Sequence, residues 1–419
     1  MAGSLEHLLL SKIIETGSLQ EVTGAGLKPI HWGTWEDKYQ WVLNYQQEHS
    51  AVPTHRAWAA QWGHLEILDV EDEPFSGLIA ELLDAYKSRV IVEAVSAAMP
   101  KLESDDTTAA MQILSSGLQK ASVDVARLRD VDLIENWEDR LAQYEEMRAN
   151  PNSLRGIPTG FHGLDMITHG LRPQQLIVLG GEAKMGKSII EMIIAKACHN
   201  FGKVPLLVSF EMAIEEQAAR HDALSAGVDY DHILSGNLSE REMELIRRSM
   251  ILRKNMQPFW MTEDTSSLTT ISALAGKLQE YQPDMLLVDG AYLMDDENGE
   301  PKGSPQAMTN ISRGLKRLAQ RFDIPVFVTT QVLGWKLDSK KSRAVTAGAF
   351  GYTSAWGQDA DLLLAIERNP DIDNQSIIRV VEARTAPRAK FAISWNWQKM
   401  EFTEVTDDDD DDDDGHRFG

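Results

Sequence analysis

The sequence predicts an α/β core with a mainly parallel, twisted sheet, preceded by a small all-helical domain and a linker helix. Three observations carry this. Between Gly156 and about Thr403, short apolar runs alternate with helical patterns, as in strands joined by crossover helices. From Ser4 to about Leu128 the pattern is instead helical and rich in Ala and Leu. Between the two, Ile134, Trp137, Leu141, Tyr144 and Arg148 recur at spacings of three and four, which predicts one amphipathic helix of about five turns over 131–148. The expected domains are 1–128 (helical), 129–151 (linker helix), 152–404 (α/β core) and 405–419 (disordered acidic tail).

In the helical domain, turn signals fall at Gly24 to Pro29, Pro53, Glu73-Pro74 and Pro100. Trp32, Trp35, Trp41, Trp58 and Trp62 are read as core packing, with base stacking as the alternative. The linker ends at Asn150-Pro151-Asn152, and its apolar stripe needs a covering surface in this subunit or a neighbour. The core strands are expected at Leu176 to Gly180, Val204 to Phe210, Met285 to Asp289, Pro325 to Thr330, Asp361 to Ile366, Ile377 to Glu382 and Phe391 to Trp395. Ser239-Glu240-Arg241-Glu242 is a capping box opening a helix. Asp407 to Asp414 is a run of eight aspartates, which stays solvated. It serves solubility, or baits a basic groove with Phe418 as anchor, or competes with DNA for a positive surface.

A chain of 419 residues with 43% hydrophobic and 25% charged residues is neither fibrous nor wholly disordered. Its single cysteine, Cys198, excludes an intrachain disulfide and a Cys-rich zinc site. The start, with Glu6 and Glu15 flanking Leu8 to Leu10, lacks the pattern of a secretory signal, and no run approaches a membrane span. A cytoplasmic protein without membrane contact is expected. The formal charge of −23 argues at first against a nucleic-acid partner. Most of that charge is in the flanks, however, and positions 301–350 carry 9 bases against 2 acids.

The first core strand runs into Gly181-Glu182-Ala183-Lys184-Met185-Gly186-Lys187-Ser188, an unbroken G-x-x-x-x-G-K-S, and then into the helical run Ile189 to Ala197. Strand, glycine loop and helix together form a phosphate cradle: the loop amides turn inward and the helix adds its positive end. Lys187 reaches the β and γ phosphates, and Ser188 offers a hydroxyl to Mg2+. Three strand ends supply candidates for the remaining chemistry. Asp289 is a metal-site acid, or a strand-end cap. Glu211 is a general base for the attacking water, or a surface carboxylate. Gln331 senses the γ-phosphate, or merely ends its strand.

These residues resemble the replicative DNA helicases of the DnaB type, particularly their phage members. The resemblance rests on Gly156-Ile157-Pro158-Thr159-Gly160-Phe161 with Leu164-Asp165, Gly170-Leu171-Arg172-Pro173, Met185 to Ser188, Ser209-Phe210-Glu211-Met212 and Gln358-Asp359-Ala360-Asp361. It implies a RecA-like P-loop core in a homo-hexameric ring, with ATP between subunits and single-stranded DNA in the channel. Glu211 then matches the catalytic glutamate, Asp289 the Mg2+-site aspartate and Gln331 the strand-end glutamine. Arg384 falls where the family places a trans-acting arginine finger; a structural salt bridge is its other reading. Glu382 stands where the bacterial members usually carry a lysine, so a second cation must come from elsewhere, such as Lys184 or Arg388. The segment Gly348 to Trp356 replaces a more charged family segment, and Phe350 or Tyr352 offers a ring for stacking.

The bases Lys336, Lys340, Lys341 and Arg343 follow Gln331 in what should be a channel loop tracking a phosphate backbone. Arg313, Lys316, Arg317 and Arg321 lie instead on a helix, as an exposed or interface face. The expected function is an ATP-driven replicative helicase acting on single-stranded or forked DNA, with ATP and Mg2+ bound and a primase, loader or other replisome protein as partner. The rival is a RecA-like recombinase or ATP-dependent loading factor that binds DNA without unwinding.

Overall fold

The computed structural model describes residues 4–63, 68, 73–122, 134, 137–151, 153–264, 269–332, 345, 350 and 355–405. The chain divides into two compact units, Met1–Tyr144 and Glu145–Gly419.

The first unit is helical: α1 (Leu5–Thr16), α2 (Gln20–Gly24), α3 (Glu36–His49), α4 (His55–Trp62), α5 (Phe75–Glu103) and α6 (Thr107–Ser122). Ser4 caps α1 by accepting from the His7 amide, and Thr54 caps α4 by accepting from Ala57, so short hydroxyl side chains satisfy two helix starts. Leu9, Leu10, Ile13, Val22, Val42 and Leu82 form the core with Trp32 and Trp58. Trp32 stacks on Tyr39 with centroids 4.2 Å apart. The core-packing reading holds for Trp32 and Trp58, while Trp62 is exposed. Pro100 does not mark a turn. It lies inside α5, where only the last helical turn follows it, so the lost amide costs little continuity.

The helix read over 131–148 is shorter among the described residues. α7 (Trp137–Ala149) has 13 residues, about three and a half turns. Ile134 sits in a turn, and 131–133, 135 and 136 lie outside the described residues. Trp137, Leu141 and Tyr144 are exposed, and α7 buries no residue.

Among the described residues the second unit holds nine strands: β1 (Leu176–Gly181), β2 (Pro205–Ser209), β3 (Trp260–Glu263), β4 (Met285–Asp289), β5 (Val326–Gln331), β6 (Leu362–Arg368), β7 (Gln375–Ala383), β8 (Lys390–Asn396) and β9 (Glu401–Glu404). Their order is β3-β2-β4-β5-β1-β6-β7-β8-β9. Pairing is parallel from β3 to β6 and antiparallel from β6 to β9. The helices of this unit are α8 (His162–Thr168), α9 (Lys187–Asn200), α10 (Ile214–Ala226), α11 (Tyr230–Ser235), α12 (Glu240–Arg253), α13 (Ile271–Tyr281), α14 (Pro305–Phe322) and α15 (Ala355–Asp359).

β1, β2 and β4 are buried along their whole length, as parallel strands covered on both faces must be. Side chains alternate between two cores. Leu176, Val178, Leu286 and Val288 join Leu315 and Leu318 of α14 in one. Ile177, Leu179, Leu207 and Leu287 join Ile190 and Ile194 of α9 in the other. β7 instead alternates between buried and partly exposed residues, the pattern of a strand covered on one face. Sequence reading did not anticipate β3 and β9, each of four residues.

Candidate functional site

β1 delivers the chain into the glycine loop, and α9 starts at Lys187. The turn between them uses left-handed backbone at Lys184 (φ 61°) and Gly186 (φ 87°), which lets successive amides converge on one point. At Gly186 a Cβ would also stand 2.8 Å from the Trp395 and Phe402 rings, so conformation and space both require glycine. The Lys187 ammonium is folded into the loop, donating to the carbonyls of Gly181 (3.2 Å) and Glu182 (2.9 Å). Burial lowers its pKa, and the carboxylates of Glu211 and Asp289 oppose that shift.

The neighbouring strand ends converge on this loop, because parallel strands in register finish at one edge of the sheet. Gln331 lies beside Gly181, and Ser209 beside Asp289. Asp289 is buried, and its Oδ1 accepts from the Thr329 hydroxyl at 2.8 Å. Thr329 in turn accepts from the Gly290 amide at 2.9 Å. Burial raises the Asp289 pKa, while hydrogen bonds from Thr329 and Ser188 lower it. Its other oxygen, Oδ2, is buried without a hydrogen-bond partner. Glu211, two residues beyond β2, is exposed and accepts from the Tyr292 hydroxyl. Tyr292 accepts from the Gln331 amide at 2.7 Å. Glu191 of α9 is fully buried, and neither of its oxygens has a partner at hydrogen-bonding geometry. Burial, then the charges of Asp289 and Glu211, push its pKa well up. The two buried acids therefore oppose each other's ionisation.

Residues 156–404, more than half of the chain, match the DnaB-like helicase C terminal domain family. The chain belongs to that family. Among its relatives, the replicative DNA helicase DnaB of Haemophilus influenzae is 27% identical over 255 residues, covering 58% of this chain and 54% of that protein. The replicative DNA helicase DnaC of Bacillus subtilis is 23% identical over 283 residues, 65% of this chain and 62% of that protein. A probable replicative DNA helicase of Trieres chinensis is 27% identical over 211 residues, 49% and 46% of the two chains. The chain spans about half the length of the curated relatives it matches. Two solved structures share the fold. One, an isolated ATPase domain, superposes with a TM-score of 0.59 at 17% identity, over 66% of this chain and all of that one. A DnaB-like replicative helicase, studied with its primase interactions, gives 0.61 at 15% identity over 96% of this chain and all of that one.

Several segments that marked this DnaB-like chain hold the fold together. Thr159 is buried, and its amide and hydroxyl both donate to Asp165 Oδ1 at 2.8 Å. Asp359 accepts from the Ser312 hydroxyl at 2.8 Å. Asp361 Oδ2 accepts from the Leu176 amide at 2.8 Å and from Lys316 at 2.6 Å. Lys316 therefore belongs to a part-buried ion pair, while Arg313, Arg317 and Arg321 are exposed on α14. Phe350 is not free to stack on a ligand. It is buried, with its ring packed over Gly180, and Trp356 is buried too. Tyr352 lies outside the described residues, as do Lys336, Lys340, Lys341, Arg343 and the aspartate run.

Arg384 stands apart from the other candidates. It follows β7, whose end pairs with Leu362 at the start of β6, and Leu362 pairs with Ile177 near the start of β1. The cradle opens at the other end of β1. Five residues of strand at about 3.3 Å each separate the two levels by roughly 16 Å. Arg384 donates to Asp361 Oδ1 at 3.2 Å and to the Gln358 carbonyl at 3.1 Å, with its side chain still more than half exposed. Sequence reasoning missed Thr329, Tyr292 and Glu191. Only Glu191 left a signal, as a lone acid inside the apolar run Ile189 to Ala197.

Proposed function

We propose that this chain is the subunit of a homo-hexameric replicative helicase that couples ATP hydrolysis between subunits to movement along single-stranded DNA and unwinding of a fork. The observation carrying this is the division of the site. A phosphate cradle, a carboxylate base and a strand-end amide gather at one edge of the sheet, while Arg384 sits at the opposite edge, out of reach of its own cradle.

In this reading Gly181, Glu182, Ala183, Lys184, Met185 and Gly186 wrap the phosphates, and Lys187 leaves the Gly181 and Glu182 carbonyls to neutralise the β and γ oxygens. Glu211 accepts a proton from the attacking water. Gln331 turns its amide to the γ-phosphate. Arg384 of one subunit stabilises charge on the neighbour's ATP. The residues present suit a divalent cation: Asp289 Oδ2 is a buried acceptor without a partner, and the Ser188 hydroxyl lies against the same carboxylate. Ser188 and Asp289 would hold Mg2+, which when bound supplies charge neutralisation at the phosphate oxygens.

Lys336, Lys340, Lys341 and Arg343 are the proposed DNA contacts, on their sequence alone. A primase, loader or other replisome protein is the proposed protein partner, and the cytoplasm the proposed location. Among the described residues no helix is long and apolar enough to cross a membrane.

Strand displacement on a forked duplex, with ATP turnover measured in parallel, tests the reading. The native chain should do both, and Lys187→Ala should lose both by about a hundredfold or more, since the lysine acts on the charge that builds in the transition state. ATP turnover and DNA binding without displaced strand would replace the motor with a recombinase or loading factor. Full turnover by Lys187→Ala would remove the cradle assignment.

A further inference from the structure

Tyr292 stands in the turn Ala291–Leu293, three residues beyond Asp289, and is half-buried between the ends of β2 and β5. Its hydroxyl has one proton, so the polarity of its contacts is fixed. It donates to Glu211 Oε1 and accepts from Gln331 Nε2 at 2.7 Å. Burial and the adjacent Glu211 carboxylate push the phenol pKa up, which keeps it a donor at neutral pH. The Glu211 side chain is also laid back over Gly290, where a Cβ would come within 3.2 Å of its Cγ. Left-handed backbone at Gly290 (φ 88°) makes room for both residues.

We infer that Tyr292 is a positioning residue that holds Glu211 and Gln331 in one chain of hydrogen bonds, restraining the base until Gln331 turns away. This rests on the proposed roles of Glu211 and Gln331. The chain links two groups that must otherwise engage different parts of the same reactant. Turning the Gln331 amide to a phosphate takes its nitrogen away from the Tyr292 hydroxyl, one of the contacts that orient the phenol. Glu211 must swing its carboxylate from Gly290 toward water, which breaks the bond from Tyr292. The hydroxyl therefore couples the two groups, and its hold on the base weakens when the strand-end amide leaves it for a phosphate.

Steady-state ATP turnover of Tyr292→Phe, with and without an oligothymidylate, tests this. The substitution keeps the ring and deletes the hydroxyl. One lost charge-assisted hydrogen bond changes the ease of releasing the base by about tenfold. DNA-free kcat should therefore rise by several-fold to tenfold with KM for ATP unchanged, and the ratio of DNA-stimulated to DNA-free turnover should fall toward one. Unchanged or lowered kcat in Tyr292→Phe overturns the restraint. Glu211→Gln is the separate control: full turnover in that variant removes Glu211 as the base, whatever Tyr292 does.

Discussion

Glu191 occupies the same face of α9 as Lys187, four residues on, and is buried against Asp289. Its pKa is raised in the folded protein, so between the ordinary carboxylate range and that raised value the folded state binds more protons than the unfolded one. Stability contributed by the protonated form is then complete at low pH and is lost as pH rises through that window. Glu191→Gln keeps the shape and removes the need for a proton. It should melt above the native chain at pH 8, by about 1 to 3 kcal/mol for a buried polar group relieved of its penalty. The gap should close toward pH 5. Equal melting curves at both values would show that the acid is compensated by its surroundings. Lys187, Ser188, Asp289, Glu211 and Gln331 were legible in the sequence because each closes an apolar strand or a glycine loop. Tyr292 and Thr329 were not, since only the three-dimensional register aligns a hydroxyl on β5 with an acid on β4.

Asp361 shows how elements are tied at the edge of the sheet away from the cradle. One carboxylate receives the first amide of β1, the ammonium of Lys316 on α14 and the guanidinium of Arg384 after β7. Its side chain is 11% exposed, so the two cations and the amide satisfy a charge largely removed from water. Asp361→Ala should lower stability in urea by about 3 kcal/mol or more, because Lys316 is left part-buried without its counter-charge. Arg384→Ala should cost at most about 1 kcal/mol, since that guanidinium is mostly solvated. An unchanged midpoint in Asp361→Ala would mean the ties are redundant, and equal losses in both variants would make Arg384 a structural residue. At this scale the parallel strands were plain in the sequence, being continuous apolar runs. The four-residue edge strands were not: Trp260–Glu263 has no fully buried residue to set a pattern. Among the described residues α7 also begins later than its periodicity suggested, at Trp137. Apolar spacing reports a face that can be covered, not where the first helical hydrogen bond forms.

For the whole molecule the decisive question is whether a nucleotide site is made by one chain or two. The separation of Arg384 from its own cradle along β1 gives a numerical answer that a mixing experiment can read. On the proposed reading, Glu211→Ala subunits lack the base and Arg384→Ala subunits lack the finger, so each population alone should be nearly inactive. When equal amounts exchange into one ring, a site works only where an Arg384→Ala subunit offers its intact cradle to a Glu211→Ala neighbour that offers its intact arginine. Random assembly makes about one interface in four of that kind, so turnover should recover to about a quarter of the native rate if the sites fire independently. Obligatory firing around the ring would give less, and the shape of recovery against mixing ratio separates the two cases. If Arg384 served its own chain, every subunit in the mixture would carry one fatal defect. Native mass spectrometry showing mixed rings with no regained hydrolysis would therefore exclude the shared site, and the ring would need another source for its completing cation.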